Sequence, residues 1–107
     1  MSWKEVGSTE DFCKDMGGCV KVDGKQIAVF NFNHDEWYAV QNLCPHDNRM
    51  VLSRGIAGNS GEEPKVACPL HKHNFSLKSG KHLSEGEVDD ITTYEVKVED
   101  GKIFLNL

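Results

Sequence analysis

Cys44-Pro45-His46 and Cys68-Pro69-Leu70-His71 are the residues of this chain best equipped for chemistry: two short Cys/His segments, each opening with Cys-Pro, separated by residues 47–67. Two thiolates and two imidazoles can be shared between two irons, the thiolates on one and the imidazoles on the other, which is a mixed-ligand [2Fe–2S] centre. Each segment offers one ligand of each kind, so one compact loop can serve both metals of the pair. Neutral imidazoles also remove negative charge from the site and raise its reduction potential relative to an all-thiolate cluster. The same Cys₂His₂ set could instead hold a single structural zinc. The alternating order favours two metals, because a common zinc-finger pattern places its cysteines together and its histidines together.

The remaining cysteines and histidines are expected to play lesser parts. Cys13 and Cys19 stand apart from the two segments and are expected to pack as small apolar residues. The four cysteines could in principle form two disulfides, as in small secreted domains. Met1-Ser2-Trp3-Lys4-Glu5, however, lacks the apolar stretch of an export signal, so the expected compartment is the reducing cytoplasm, where cysteines beside histidines read as metal ligands or reactive thiols. His34, next to Asp35 in a polar stretch, and His82 are expected at the surface. His73, which flanks the second segment, is expected close behind the ligands.

The formal net charge of −5, without any Lys/Arg run, argues against a nucleic-acid partner. No stretch is apolar for long enough to span a bilayer as a helix, so no membrane partner is expected.

The elements that must position these ligands read as strands. With 107 residues the chain is expected to form one domain, 1–107, of the all-β class. Cys19–Val22 and Lys25–Phe30 flank Asp23-Gly24, while Thr93–Val98 and Lys102–Leu105 flank Asp100-Gly101. Both Asp-Gly pairs tolerate the positive φ that a tight hairpin turn demands. Trp37–Val40 is a further strand, and Ser8 caps one helical turn through Phe12. From Leu43 to about Gly86 the chain is rich in Gly, Pro, Asn, Ser and His, with brief strands at Val66-Ala67 and Asn74–Leu77. This composition predicts an antiparallel sandwich or barrel base, about 1–42 and 87–107, carrying an inserted loop-rich ligand-bearing subdomain, about 43–86. Residues 56–64 are expected to be an exposed loop, with contact to a partner as the sharper reading.

The segment Cys68-Pro69-Leu70-His71-Lys72-His73-Asn74-Phe75-Ser76-Leu77-Lys78-Ser79-Gly80, with Cys44-Pro45-His46 before it, resembles the Rieske family, whose second ligand loop leads into an aromatic-containing strand and a Gly turn. The run from Gln41 to Gly80, including Met50–Gly55 and Pro64–Ala67, is similar more narrowly to the small subunits of assimilatory NAD(P)H nitrite reductases, and a weaker similarity extends over nearly the whole chain. The resemblance implies a Rieske fold and a [2Fe–2S] cluster on Cys44, His46, Cys68 and His71. It also implies a large-subunit partner carrying FAD, a [4Fe–4S] cluster and sirohaem, on which nitrite is reduced to ammonia. The chain then counts as an enzyme only as a subunit of that oxidoreductase of nitrate assimilation, with no catalytic residues or substrate pocket of its own. A free Rieske ferredoxin serving an oxygenase and a zinc-stabilised interaction module are the competing functions.

Against the family's high-potential members, Arg49 and Leu70 stand where a disulfide would lie behind the cluster, and His73 and Phe75 stand where Ser and Tyr hydroxyls would donate to its sulfurs. Fewer donors stabilise the reduced state less. The resemblance therefore implies a potential toward the low end of the roughly −150 to +300 mV Rieske range, tempered by any donation from His73 and by the charge of Arg49.

Overall fold

Five of the strands in the structure, a computed structural model, follow directly from local signals in the sequence. It describes residues 3–12, 16–32, 36–45, 48–60, 63–70, 73–84, 86 and 88–106, with only the backbone of Asn59 and Ser60. Strands β1 (Trp3–Ser8), β2 (Gly17–Val22), β3 (Lys25–Phe32) and β4 (Glu36–Gln41) come from the amino-terminal part of the chain. Five short strands follow: β5 (Leu43–Cys44), β6 (Arg49–Met50), β7 (Ile56–Ser60), β8 (Glu63–Ala67) and β9 (Asn74–Ser76). β10 (Thr93–Glu99) and β11 (Lys102–Asn106) complete the chain, and the described residues include only single 3₁₀ turns as helix.

Both Asp-Gly hairpins form as expected. Asp23 and Gly24 adopt φ of 51° and 79°, Asp100 and Gly101 adopt 51° and 74°, and the flanking strands pair in continuous antiparallel register, Val22↔Lys25 and Glu99↔Lys102 being the closing pairs. The expected helical turn is a 3₁₀ turn at Thr9–Asp11, in which the Ser8 hydroxyl accepts from the Glu10 amide and the Asp11 carboxylate accepts from the Ser8 amide.

Strands β1, β11, β10, β4, β3 and β2 lie in that order in one antiparallel sheet. Its two edges approach each other, and Lys4 on β1 forms an ion pair with Asp23 in the β2–β3 turn, so the sheet curls nearly closed. β3 has apolar residues buried on both faces, because Ile27, Ala28, Val29 and Phe30 all have zero exposure. The side-chain alternation of a strand then sends them to two cores. Ile27 and Val29 join Phe12, Ala39, Ile103 and Leu105 in one cluster. Ala28 and Phe30 join Val40, Leu52, Val66, Phe75, Leu77 and Ile91 in the other, and Cys44 and Cys68 belong to this second cluster. The wall formed by β3 and β4 thus separates the core of the main sheet from the core that receives the chemistry-bearing segments.

β7, β8 and β9 make a separate three-stranded antiparallel sheet, and β5 with β6 a two-stranded one. The stretch 56–64, expected as an exposed loop, is instead mostly a hairpin. Ile56–Ser60 pairs with Glu63–Ala67 from Ile56↔Ala67 to Ser60↔Glu63, with Gly61 and Glu62 outside the described residues. The physical reason is the partner strand. β8 buries Pro64 and Val66, pairs with β9 on its other side, and gives an otherwise poor strand sequence a template. Cys19, expected to pack, is exposed on β2, where its sulfur accepts from the Asn42 amide at 3.6 Å. Cys13 and His34 lie outside the described residues.

Tyr38 packs edge-on against Phe32 and donates its hydroxyl to Glu36 at 2.9 Å. Burial, then the hydrogen bond and negative charge of Glu36, push its phenol up to about 12.

Candidate metal centre

Each expected cysteine ligand stands at the end of a β-hairpin. Cys44 is the last residue of β5, paired with Arg49 on β6, and the Asn48 amide donates to the Cys44 carbonyl at 2.7 Å. Asn48 closes this turn with φ of 54°, a left-handed conformation that Asn tolerates better than most side chains. Cys68 follows β8, and its amide donates to the His73 carbonyl at 2.9 Å, one step beyond the Ala67↔Asn74 pair of the β8–β9 hairpin. The two Cys-Pro segments are therefore the tips of two hairpins, each closed at its base by a backbone hydrogen bond.

Both tips converge on the second core. Cys44 and Cys68 both have zero exposure and are members of one apolar cluster with Leu52, Val66 and Phe75. His46 and His71 are the other two expected ligands; in sequence they fall within these turns, and they lie outside the described residues. Among the described residues, no three of His, Cys, Asp and Glu are grouped to hold a metal ion.

The donor chemistry fits an iron–sulfur centre. Two soft sulfur donors, buried together and not joined as a disulfide, suit an inner iron shielded from water. Thiolates in so apolar a setting are costly unless a cation compensates them, and a bound metal supplies that compensation. Arg49 is exposed, and its backbone pairs with Cys44 across the first hairpin.

Three supporting residues carried no clear sequence signal. Asn42, 2% exposed, donates to the Gln26 side chain at 3.1 Å and accepts the Ser53 amide at 2.7 Å, while its backbone carbonyl accepts the Leu52 amide at 3.0 Å. It thereby ties the segment after the first hairpin to β3, two residues before Cys44. Ser76, wholly buried, donates to the Glu63 carboxylate and accepts the amides of Lys78 and Ser79, which fixes the end of β9. His82, expected at the surface, is half-buried and hydrogen-bonded ring to ring with His73 at 2.8 Å. A polar Asn beside a ligand segment and a second His near the first are the faint signals that could have drawn attention to them.

A family model described as a Rieske-like [2Fe-2S] domain matches residues 2–106. The nitrite reductase (NADH) small subunit of Escherichia coli K12 is 33% identical over 104 residues, covering 96% of this chain and 95% of that protein. A nitrite reductase [NAD(P)H] large subunit from Klebsiella oxytoca is 35% identical over 96% of this chain, which spans only 11% of that protein's length. The 3-phenylpropionate/cinnamic acid dioxygenase ferredoxin subunit of E. coli K12 is 38% identical over 85% of this chain and 82% of its own. Among solved structures, the nitrite reductase [NAD(P)H] small subunit of Erwinia carotovora superposes with a TM-score of 0.82 at 33% identity, covering 100% of this chain and 83% of that one. No helix among the described residues is long and apolar enough to cross a membrane. With the all-β architecture, the paired Cys-Pro hairpins and a family match from end to end, the chain belongs to the Rieske-like [2Fe-2S] domain family.

Proposed function

We propose that this chain is the Rieske-type [2Fe–2S] electron-transfer small subunit of an NAD(P)H-dependent nitrite reductase, working in nitrate assimilation in the cytoplasm. Cys44, His46, Cys68 and His71 would hold the cluster, with the thiolates on the inner iron and the imidazoles on the outer one. The cluster supplies one-electron transfer. The chain's own residues bury the sulfur ligands and close each ligand turn by a backbone hydrogen bond. On this reading the main sheet, about 1–42 and 87–107, is the base and residues about 43–86 are the cluster-binding part, a division supported by the sheet boundaries.

The observation that carries the choice of partner is the match of nearly the whole chain to nearly the whole E. coli small subunit. A domain of this kind also accounts for 11% of the K. oxytoca large subunit, which supports physical association with a large-subunit partner holding FAD, [4Fe–4S] and sirohaem, where nitrite would be reduced. The ferredoxin relative, at higher identity over a shorter span, favours a second reading as an electron carrier to a dioxygenase.

Co-expression of the tagged chain with an NAD(P)H nitrite reductase large subunit separates the two. The expected result is a stable complex of about one small subunit per large subunit at physiological salt, as a standard-size interface allows. Exclusive capture of a dioxygenase's oxygenase component would establish the second reading instead. Voltammetry of the isolated holoprotein should give a potential in the lower part of the roughly −150 to +300 mV Rieske range, and a value near its top would refute the argument from missing donors.

A further inference from the structure

We infer that His82 is a positioning residue for the second ligand turn, holding His73 by a ring-to-ring hydrogen bond so that the hairpin tip between Cys68 and His73 keeps its shape about the metal centre. The inference rests on the reading that the cluster is carried by Cys44, His46, Cys68 and His71.

His73 is the residue on which the second turn closes, because its carbonyl accepts the Cys68 amide at 2.9 Å. Its ring is held in turn. Nδ1 of His73 lies 2.8 Å from Nε2 of His82, with the ring centroids 5.0 Å apart and the planes tilted by 33°. Such an N–H···N bond needs one ring nitrogen to donate and the other to accept, so it couples the tautomers of the two rings and holds their orientation.

His82 is anchored independently of the turn it supports. Its backbone bridges to Phe75, its ring packs on the buried Phe75 ring at 5.4 Å, and its amide donates to the Asp90 carboxylate at 3.0 Å. The residues around it run alongside β9. The Ser76 amide donates to the Lys81 carbonyl at 2.8 Å, and the Leu83 amide to the Asn74 carbonyl at 2.8 Å. The Ser84 hydroxyl accepts both the backbone and side-chain amides of Asn74, at 2.8 and 3.1 Å. Gly86 then passes near the ring of His73, where a Cβ would lie 3.9 Å from Cε1. A firmly paired segment thus reaches across to His73, whose carbonyl closes the second turn, and His82 makes a ring contact with it.

Outer partners of this kind change metal affinity by about ten- to a hundred-fold when removed. His82 has two separable contacts, its packing on Phe75 and its bond to His73, and two variants distinguish them. His82→Phe keeps an aromatic ring on Phe75 and loses the bond. His82→Gln loses the ring and keeps a side chain able to donate to Nδ1 of His73. The readout is the rate at which visible absorbance decays when folded holoprotein is challenged with excess iron chelator.

The expected result is release about ten- to a hundred-fold faster than wild type for His82→Phe, with His82→Gln within about threefold of wild type. Release at the wild-type rate from the Phe variant, or equally fast release from the Gln variant, overturns the inference while leaving the cluster reading intact. Wild-type protein purified without iron but with zinc overturns both. Should His82→Phe not fold, ¹⁵N spectra of the imidazoles in the wild-type apoprotein decide the matter. A ring proton shared by His73 and His82 and protected from solvent exchange is expected, and rapid exchange at both nitrogens contradicts the bond.

Discussion

Cys68→Ser is expected to yield a folded, colourless protein, retaining less than about a tenth of the iron of wild type. The thiol is wholly buried in the second core, where it meets apolar neighbours and the sulfur of Cys44 belongs to the same cluster. Serine is nearly isosteric, and the amide that closes the second turn on His73 belongs to the backbone, so the hairpin survives the change. The hydroxyl is a hard, weakly acidic donor that does not replace a thiolate on iron. Its burial costs about 1–3 kcal/mol if it finds no partner, which the two-core fold should tolerate. His46→Ala and His71→Ala are expected to lose the native cluster as well, since a methyl group offers no lone pair. Cys13→Ser and Cys19→Ser should keep full colour, Cys19 being exposed on β2. Iron and sulfide content, visible absorbance and far-ultraviolet circular dichroism of the variants check all of this. Bleaching by Cys13→Ser would place a ligand where none is assigned.

Gly80→Ala is expected to be the most damaging single change outside the ligands. Gly80 adopts φ of 78°, and an added Cβ would lie 2.0 Å from the carbonyl oxygen of Ile91. The left-handed conformation alone costs an L-residue roughly 1–2 kcal/mol. The clash is with backbone, and that backbone cannot yield freely, because the Ile91 amide donates to the Gly80 carbonyl at 2.7 Å and Ile91 itself is a core residue. A total near 3 kcal/mol is expected, lowering the melting temperature by about 10–20 °C. Thermal unfolding of the apoprotein measures it. A loss of less than about 3 °C would mean that the approach of Gly80 to Ile91 is not required by the fold. The effect should reach the second hairpin, since Gly80 lies between β9 and His82 and its amide donates to Ser76.

The parts of the fold legible in the sequence are those encoded locally. Asp23-Gly24 and Asp100-Gly101 announce their hairpins because few other pairs tolerate two successive positive φ values, and the alternating apolar residues beside them set the register. β1 escaped notice because Trp3–Ser8 has no fully buried residue, contains a bulge between Glu5 and Gly7, and exists by pairing with β11 at the other end of the chain. β7 escaped for a related reason: Gly58, Asn59 and Ser60 are poor strand formers that follow the lead of β8.

The candidate site shows the same division. The repeated Cys-Pro segment with a nearby histidine marks Cys44 and Cys68 as candidate ligands from spacing alone, and the structure buries both in one apolar cluster. That they stand at hairpin ends, rather than in irregular loops, depends on the two-residue strands β5 and β6 and on the Cys68–His73 closure, which no local signal announces. His82 was misplaced at the surface because its sequence neighbours are polar. Its partner His73 is reached only once residues 81–84 lie down along β9.

The central claim, two hairpin tips sharing one iron–sulfur centre, is tested most directly by iron and acid-labile sulfide analysis of freshly purified wild-type protein, with electron paramagnetic resonance after reduction. About two irons and two sulfides per chain and a rhombic signal from the reduced state are expected. One zinc per chain, with no iron, no sulfide and no paramagnetic signal, would contradict the account.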